Sequence, residues 1–264
     1  LRILGVAALL ACLAGVVAPG VAAAGVEMTL RQRHTGIQEL ETTSTLKAQA
    51  GVIRIQDEDD PIYLLWDTRR REFHQVDTEA DVCTGGDFEA QLALMKKILL
   101  GLMPEPRGGR REPAAGGTTA GDRPRFSATR TGEMAEVAGL QAERYEIREG
   151  GSLRQELWIG EWPALSREVD MAVLRGMQQA WMNVIEQIMS GGEGDPILEW
   201  YLSGEYARLF EKGVALRQVE YLPEGNLVSE TTSAVVREIV PAELTLPAKC
   251  RRVSLEEFMD VSEE

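Results

Sequence analysis

His34 and His74 are the only imidazoles in this 264-residue chain, so a nucleophilic triad or a zinc site would have to be built on one of them. Both fall on segments that read as strands among charged neighbours, which is the setting of surface or rim histidines. No G-x-S-x-G elbow, H-E-x-x-H pair, phosphate loop or dinucleotide-binding glycine pattern occurs. Gly191-Gly192-Glu193-Gly194 reads as a helix stop. The acidic run Asp57-Glu58-Asp59-Asp60 offers oxygen donors to calcium, but it lacks the alternating spacing and glycine of a calcium loop, and it reads as a solvated turn stiffened by Pro61. Arg69-Arg70-Arg71 and the arginines at 107, 110, 111, 123 and 125 form the basic clusters. They could meet an anionic headgroup or an acidic partner, and they read as solvated turn and loop charge. No catalytic residue, metal-ligand set or cofactor is assigned, and the chain is not expected to be an enzyme. A carboxylate enzyme would need a buried, mutually close Asp/Glu pair in a polar cleft.

The remaining reactive residues are three cysteines. Cys12 lies in an N-terminal segment where Arg2 precedes an uncharged apolar run and small residues end in Ala22-Ala23-Ala24. This reads as a secretory signal peptide over residues 1–24, cleaved after Ala24, with Pro19 and Gly20 just before the cut. Two other readings are a lipoprotein signal with Cys12 lipidated and a retained membrane anchor. Export would leave Cys83 and Cys250 as an even pair in an oxidising compartment, where a disulfide is expected; two separate buried thiols are the alternative. Neither belongs to a C-x-x-C motif, so metal or redox chemistry is not expected of them. The formal charge is −14, which disfavours nucleic acid and anionic lipid surfaces as partners. No second apolar run approaches membrane-spanning length.

The elements that must position these residues follow from periodicity. Val26, Met28 and Leu30 alternate with Glu27, Thr29 and Arg31, the pattern of a half-buried strand. A Thr-rich stretch over 38–47 and the segments 51–56, 62–66 and 72–77 continue it, separated by polar turns, to give five strands in an antiparallel meander. The period then changes. Phe88, Leu92, Met95, Leu99 and Leu102 mark an amphipathic helix with Asp87 as N-cap. Residues 103–124, rich in proline, glycine and arginine, read as a flexible loop. Strands are expected again at 125–130, 140–148 and 153–159, the last two joined by a tight hairpin at Glu149-Gly150-Gly151-Ser152. A longer helix capped by Ser166 carries Met171, Leu174, Met177, Trp181, Ile185 and Ile188 on one face, and Asp195-Pro196 begins another that contains Trp200 and Tyr201. Strands over 213–221 and 227–240 form a final hairpin. Residues 25–264 are expected to form one domain.

Met171, Met177, Met182, Met189, Trp181, Trp200 and Tyr201 cluster in this helical region. Thioethers and aromatic rings suit irregular apolar ligands, and they equally suit a plug for the inner face of a sheet.

The segments Ile62 to Asp77 (IYLLWDTRRREFHQVD), Val137 to Ile147 (VAGLQAERYEI), Glu156 to Trp162 (ELWIGEW), Gly213 to Tyr221 (GVALRQVEY) and Ala242 to Val253 (AELTLPAKCRRV) resemble, in this order, an exported bacterial domain-of-unknown-function family within the LolA/LolB-like lipoprotein-carrier superfamily. The resemblance implies an α+β fold in which a curved antiparallel sheet, an unclosed half-barrel, covers a few α-helices. With the Met/aromatic cluster, it leads to the expectation of a non-catalytic periplasmic protein holding a lipid, acyl chain or other apolar ligand. Trp66, Trp158, Met177, Trp181 and Trp200 are the candidate lining residues. The alternative is a structural or interaction module with a self-filled core whose partner is an envelope protein.

Overall fold

The structure, a computed structural model, describes residues 24–36, 40–102, 126–189, 200–211 and 213–262. The expected signal segment therefore lies outside the described residues up to position 23. The same holds for the loop at 103–124 and the helix start at Asp195-Pro196.

Six strands open the chain: β1 (Val26–Gly36), β2 (Leu40–Gln49), β3 (Val52–Asp57), β4 (Ile62–Asp67), β5 (Glu72–Asp77) and β6 (Val82–Asp87). Helix α1 (Phe88–Leu102) follows, then β7 (Phe126–Val137), β8 (Leu140–Glu149) and β9 (Ser152–Gly160). Helices α2 (Pro163–Glu168), α3 (Met171–Met189) and α4 (Gly204–Leu209) precede the hairpin β10 (Val214–Leu222) and β11 (Gly225–Val236). A 3-10 turn (Pro241–Leu244), the two-residue strand β12 (Arg251–Arg252) and α5 (Leu255–Val261) end the described chain.

All twelve strands form one sheet in the order β12-β6-β5-β4-β3-β2-β1-β11-β10-β9-β8-β7. Strands β12 and β7 are its two ends, so the sheet is curved and open rather than a closed barrel. Every pairing is antiparallel except that of β12 with β6, where Arg251 and Arg252 lie beside Val82 and Cys83. Strand β11 joins the two halves, running against β1 from Val26↔Val236 to Gly36↔Gly225 and against β10 on its other side.

Alternation decides which side chains face inward. Met28 opposes Leu46, Leu46 opposes Ile55, Ile53 opposes Trp66 and Trp66 opposes Phe73. This inner face packs on Phe88 and Leu92 of α1, Leu165 of α2 and Leu174 and Met177 of α3 in one core that also takes in Ile147 and Leu157 of β8 and β9. Cross-strand pairs of this kind specify register, because a one-residue slip would turn the whole set outward. Strands β4 to β6 are buried on the outer face as well, where Tyr63, Leu65, Val76 and Cys83 pack under Leu246 and Cys250. That double burial explains the nearly unbroken apolar run of Ile62 to Trp66.

Four successive strands end in aspartate, at Asp57, Asp67, Asp77 and Asp87. Three of these carboxylates turn the chain. Asp67 accepts from the amides of Arg69 and Arg70, Asp77 from those of Glu79 and Ala80, and Asp87 from that of Ala90, all at 2.8–2.9 Å. Short polar side chains that mimic a backbone turn favour these positions. Asp87 thus serves as the expected cap of α1.

Several boundaries differ from the sequence reading. The opening meander has six strands rather than five, because residues 82–87 also form a strand, in which Gly85 and Gly86 pair with His74 and Phe73. Strand β7 does not stop at Arg130; it passes through a register shift between Arg130 and Met134 and runs on to Val137. Ser166 does not cap a long helix. It is buried inside the short α2, the chain is extended at Val169, and α3 starts afresh with Asp170 accepting from the amides of Ala172 and Val173 at 3.0 and 3.1 Å. The last strand spans Gly225–Val236 rather than 227–240, since Val240 already begins the 3-10 turn.

Cys83 and Cys250 form a disulfide across 167 residues of sequence. It fastens the C-terminal segment to β6, where Val253 N donates to Cys83 O at 3.0 Å. Replacing both cysteines by serine is expected to lower stability by about 2–5 kcal/mol. At roughly 2–4 °C per kcal/mol for a chain of this size, calorimetry of the oxidised protein and the double variant checks this. A second expectation concerns Gly225, at φ +135°, where an added Cβ would lie 1.8 Å from the Thr35 carbonyl oxygen. Gly225→Ala should therefore cost on the order of 1–3 kcal/mol or more, read as a lowered denaturation midpoint.

Candidate functional site

The inner face of the sheet divides into a filled half and an open half. Beneath β3 to β6, Trp66 lies with its ring centroid 5.1 Å from Phe73 and 5.6 Å from Phe88, and Phe73 lies 5.9 Å from Trp181. Trp66 is 1% exposed and Met177 0%, so helices α1 and α3 close this half with the protein's own side chains. Trp158 is buried in the same core. The structure brings Trp66 and Trp181 together through Phe73, and it puts Trp200 on the wall of a cavity.

That cavity, of about 470 Å³, lies at the other half, between β8 to β10 and the helical residues Trp200 and Tyr201. Phe126, Ile147, Glu149, Arg154, Gln155, Glu220, Tyr221, Leu222 and Pro223 complete its lining. Phe126 and Trp200 stack at 5.7 Å with their planes 16° apart. Behind them Trp200 meets Tyr206 at 6.0 Å, Tyr201 meets Tyr206 at 4.9 Å, and Tyr206 meets Phe210 at 5.0 Å. Edge contacts of this kind hold each ring against its neighbours and fix the cavity wall. Ser203, accepting from Tyr206 N at 3.1 Å, caps α4 and sets the position of Tyr206.

Of the polar groups of the cavity, Tyr201 belongs to the expected Met/aromatic cluster, whereas Glu220, Gln155, Glu149 and Arg154 are not among the candidate residues. Glu220 of β10 pairs with Gln155 of β9, so the two share the inner face. Tyr201 donates to Glu220 Oε1 at 3.1 Å, Gln155 Nε2 donates to it at 3.4 Å, and Gln218 Nε2 donates to it as well. Burial pushes the Glu220 carboxyl above the ordinary carboxylate range, and these three neutral donors only partly oppose it. The cavity's other carboxylate, Glu149, is engaged by Arg154 Nε at 2.6 Å. Gln155 Oε1 and Trp200 Nε1 are buried and make no hydrogen bond among the described residues. A signal for Glu220 and Gln155 existed in the sequence: each occupies an inward position of a strand where an apolar residue is the norm.

The opposite face of the same strands carries a charge network. Arg144 reaches Glu133 at 2.8 Å, Glu146 at 3.2 Å and Glu156 at 2.9 Å, and Tyr221 donates its hydroxyl to Glu156. Burial would raise Glu156, but the Tyr221 hydroxyl, Arg144 and Arg217 outweigh it and hold the carboxyl below its usual range. Burial and the Glu156 contact push Tyr221 up to about 12. A second, polar groove of about 640 Å³ lies over β1 to β3 and includes Asp57 and Glu58 of the acidic run. Its charges are matched: Lys47 contacts Glu27 and Glu243, and Arg237 contacts the same two carboxylates. Asp60 caps its own turn, accepting from Ile62 N at 2.9 Å. His34 and His74 stand on β1 and β5, separated in the sheet by three strands, and His74 lies 3.5 Å from Glu72. Among the described residues no group of three or more His, Cys, Asp or Glu is placed to hold a metal ion. No helix among them is long and apolar enough to cross a membrane.

No protein-family model and no curated protein matches this chain. Among solved structures it is similar to PNGF-II, with 12% identity and a TM-score of 0.40 over 92% of this chain and 33% of that one. It is also similar to MucB in complex with MucA(peri), with 11% identity and a TM-score of 0.36 over 88% of this chain and 57% of that one. A LolA superfamily protein from Nitrosomonas europaea matches with 9% identity and a TM-score of 0.27 over 84% and 90%. The chain spans about a third of the length of the PNGF-II chain. A likeness this loose transfers no activity. Disulfides such as Cys83–Cys250 form and persist mainly in oxidising compartments.

The two perturbed glutamates give opposite pH signatures. Glu220 is raised in the folded state, so the folded protein holds its proton longer and stability falls as pH rises from the ordinary carboxylate value through the raised one. Glu156 is lowered, so its contribution is present at neutral pH and disappears as pH falls through its folded value. Glu220→Gln is accordingly expected to raise the melting temperature at pH 7 and to lose that gain below about pH 4, the unperturbed glutamate value. Thermal melts of the two proteins across this range check the sign.

Proposed function

We propose that this is a non-catalytic extracytoplasmic binding protein that holds a lipid, an acyl chain or another apolar ligand between its curved sheet and its helices. The observation that carries the reading is the cavity under Trp200 and Tyr201. Its volume of about 470 Å³ falls within the range of small-ligand sites, which are concave, mostly apolar and furnished with a few placed polar groups. Aromatic walls and an aliphatic rim of Ile147, Leu222 and Pro223 suit an alkyl chain. The Glu220 carboxyl is hydrogen-bonded by neutral groups, and the cavity's other carboxylate is occupied by Arg154, an arrangement that supports binding rather than general acid–base catalysis. The disulfide supports an exported location.

The self-filled half beneath β3 to β6 favours the second reading, a structural or interaction module with an envelope protein as partner, for that part of the molecule alone. Protein purified from its native host should carry about one molecule of lipid or other apolar compound, detected by mass spectrometry under non-denaturing conditions. Trp200→Ala, which removes the ring stacked on Phe126, should lower that occupancy by roughly tenfold or more. Protein that comes out empty and takes up no apolar probe on titration would sink the proposal.

A further inference from the structure

The cavity's polar groups are unusually one-sided. Glu220 presents a carboxyl that no cation pairs with among the described residues, since its partners are Tyr201, Gln155 and Gln218. Gln155 Oε1, on a residue that is 3% exposed, is a buried acceptor without a donor among the described residues. The indole of Trp200 and the ring of Phe126 stack side by side on the wall, and aromatic faces carry the negative side of a quadrupole. Among the charged groups of the lining, two carboxylates, Glu149 and Glu220, stand against one guanidinium, Arg154. Arg154 is committed to Glu149 at 2.6 Å, which leaves Glu220 as the uncompensated charge. Every other carboxylate described above on this half of the sheet, Glu133, Glu146 and Glu156, has an arginine partner.

We propose that this cavity is an ammonium site: it receives the positively charged amino group of an amphipathic ligand, with Glu220 as counter-ion, Gln155 Oε1 as a second acceptor and the Phe126 and Trp200 rings as cation–π and apolar wall. The inference rests on the reading of the cavity as a ligand site and adds the chemistry of the ligand's polar end. Desolvation pushes the empty-site carboxyl up from its ordinary range; an entering ammonium supplies the opposite charge that this position lacks and favours the ionised carboxylate. Neutral alcohols could satisfy Gln155 but would leave the carboxyl uncompensated. A fatty-acid carboxylate would meet Glu220 as a like charge. Trp200 Nε1 is buried and makes no hydrogen bond among the described residues, and it fits an oxygen near the amine or a water beside it. An alkylamine and the amino headgroup of a lipid share this chemistry.

The experiment compares octylammonium, octanol and octanoate by calorimetric titration into the full-length protein after removal of any co-purified ligand. Octylammonium should bind at least roughly tenfold more tightly than the other two. Glu220→Gln, which keeps the side chain's shape, should bring octylammonium to within about twofold of octanol measured on the same variant. The wild-type ranking needs no variant and decides the matter even if the substituted protein folds poorly. Octanol or octanoate binding as tightly as octylammonium overturns the ammonium site and leaves the apolar-cavity reading standing; no binding of any of the three overturns both. A further arm uses vesicles of phosphatidylcholine with and without phosphatidylethanolamine. Extraction of phosphatidylethanolamine in preference to phosphatidylcholine assigns the amine to a lipid, and octylammonium selectivity without extraction assigns it to a soluble amine; either supports the site.

Discussion

The pairing of β1 with β11 is the contact on which the remaining structure depends. Without it there are two separate sheets, β1 to β6 with β12 and β7 to β11, each with an apolar face to bury. Strand β11 pairs along the whole of β1 and brings β10 with it, so that one continuous sheet results. The contact is very long in sequence, with Thr231 donating to the Met28 sulfur across 203 residues. Closing so long a loop costs only logarithmically more entropy than closing a short one, whereas the reward grows with every cross-strand pair. The disulfide repeats the logic from the other side, since its 167-residue span encloses the second meander and ties the C-terminal tail across the outer face of the first.

A curved sheet with a fixed set of helices has to choose where to be filled. Helices α1 and α3 bring Phe88 and Met177 to the β1 to β6 half, and there the inner face is buried beneath them in one apolar core. On the β7 to β10 half the cover is Trp200, Tyr201 and the short α4, a row of rings rather than an interdigitated helix pair. Rings propped edge to face make a wall that is rigid in outline but thin, and a cavity remains behind it. The same half carries the Arg144 network on its outer face. Charge on that side holds β8, β9 and β10 together without needing apolar surface, which leaves the inner face of these strands free to carry Gln155, Gln218 and Glu220.

Much of the fold was readable from residue spacing. The alternation of Val26, Met28 and Leu30, the four-and-three spacing from Phe88 and the Glu149 to Ser152 hairpin all appear where the pattern puts them, because local propensity and tertiary burial agree there. What escaped was decided by contacts from elsewhere. Strand β6 contains Gly85 and Gly86, which no propensity favours, and it exists because His74 and Phe73 offer a ladder and the C-terminal segment covers it. The ten-residue recurrence of Asp57, Asp67, Asp77 and Asp87 marked the turns in plain sight. At the candidate site the large aromatic residues attracted attention, yet Trp66, Trp158 and Met177 went into the filled core. Composition registers that a tryptophan is present, not whether a helix packs on it.

The position of Glu220 is the hardest feature to explain as packing alone. A chain with 42 acidic residues has ample surface on which to place carboxylates, and on the outer face of this half Glu133, Glu146 and Glu156 pair with Arg144. Placing one more on the inner face of β10, where burial raises its pKa and only neutral donors reach it, costs stability that a leucine or a glutamine there would not. Strand register makes the placement unavoidable once the side chain is glutamate: Glu220 opposes Gln155 and shares its face with Gln218, so it has no outward alternative. A cost concentrated at a cavity wall, beside an unfilled acceptor and two stacked rings, is the pattern expected where stability has been given up for recognition. The filled half of the sheet supplies the stability against which that loss is set.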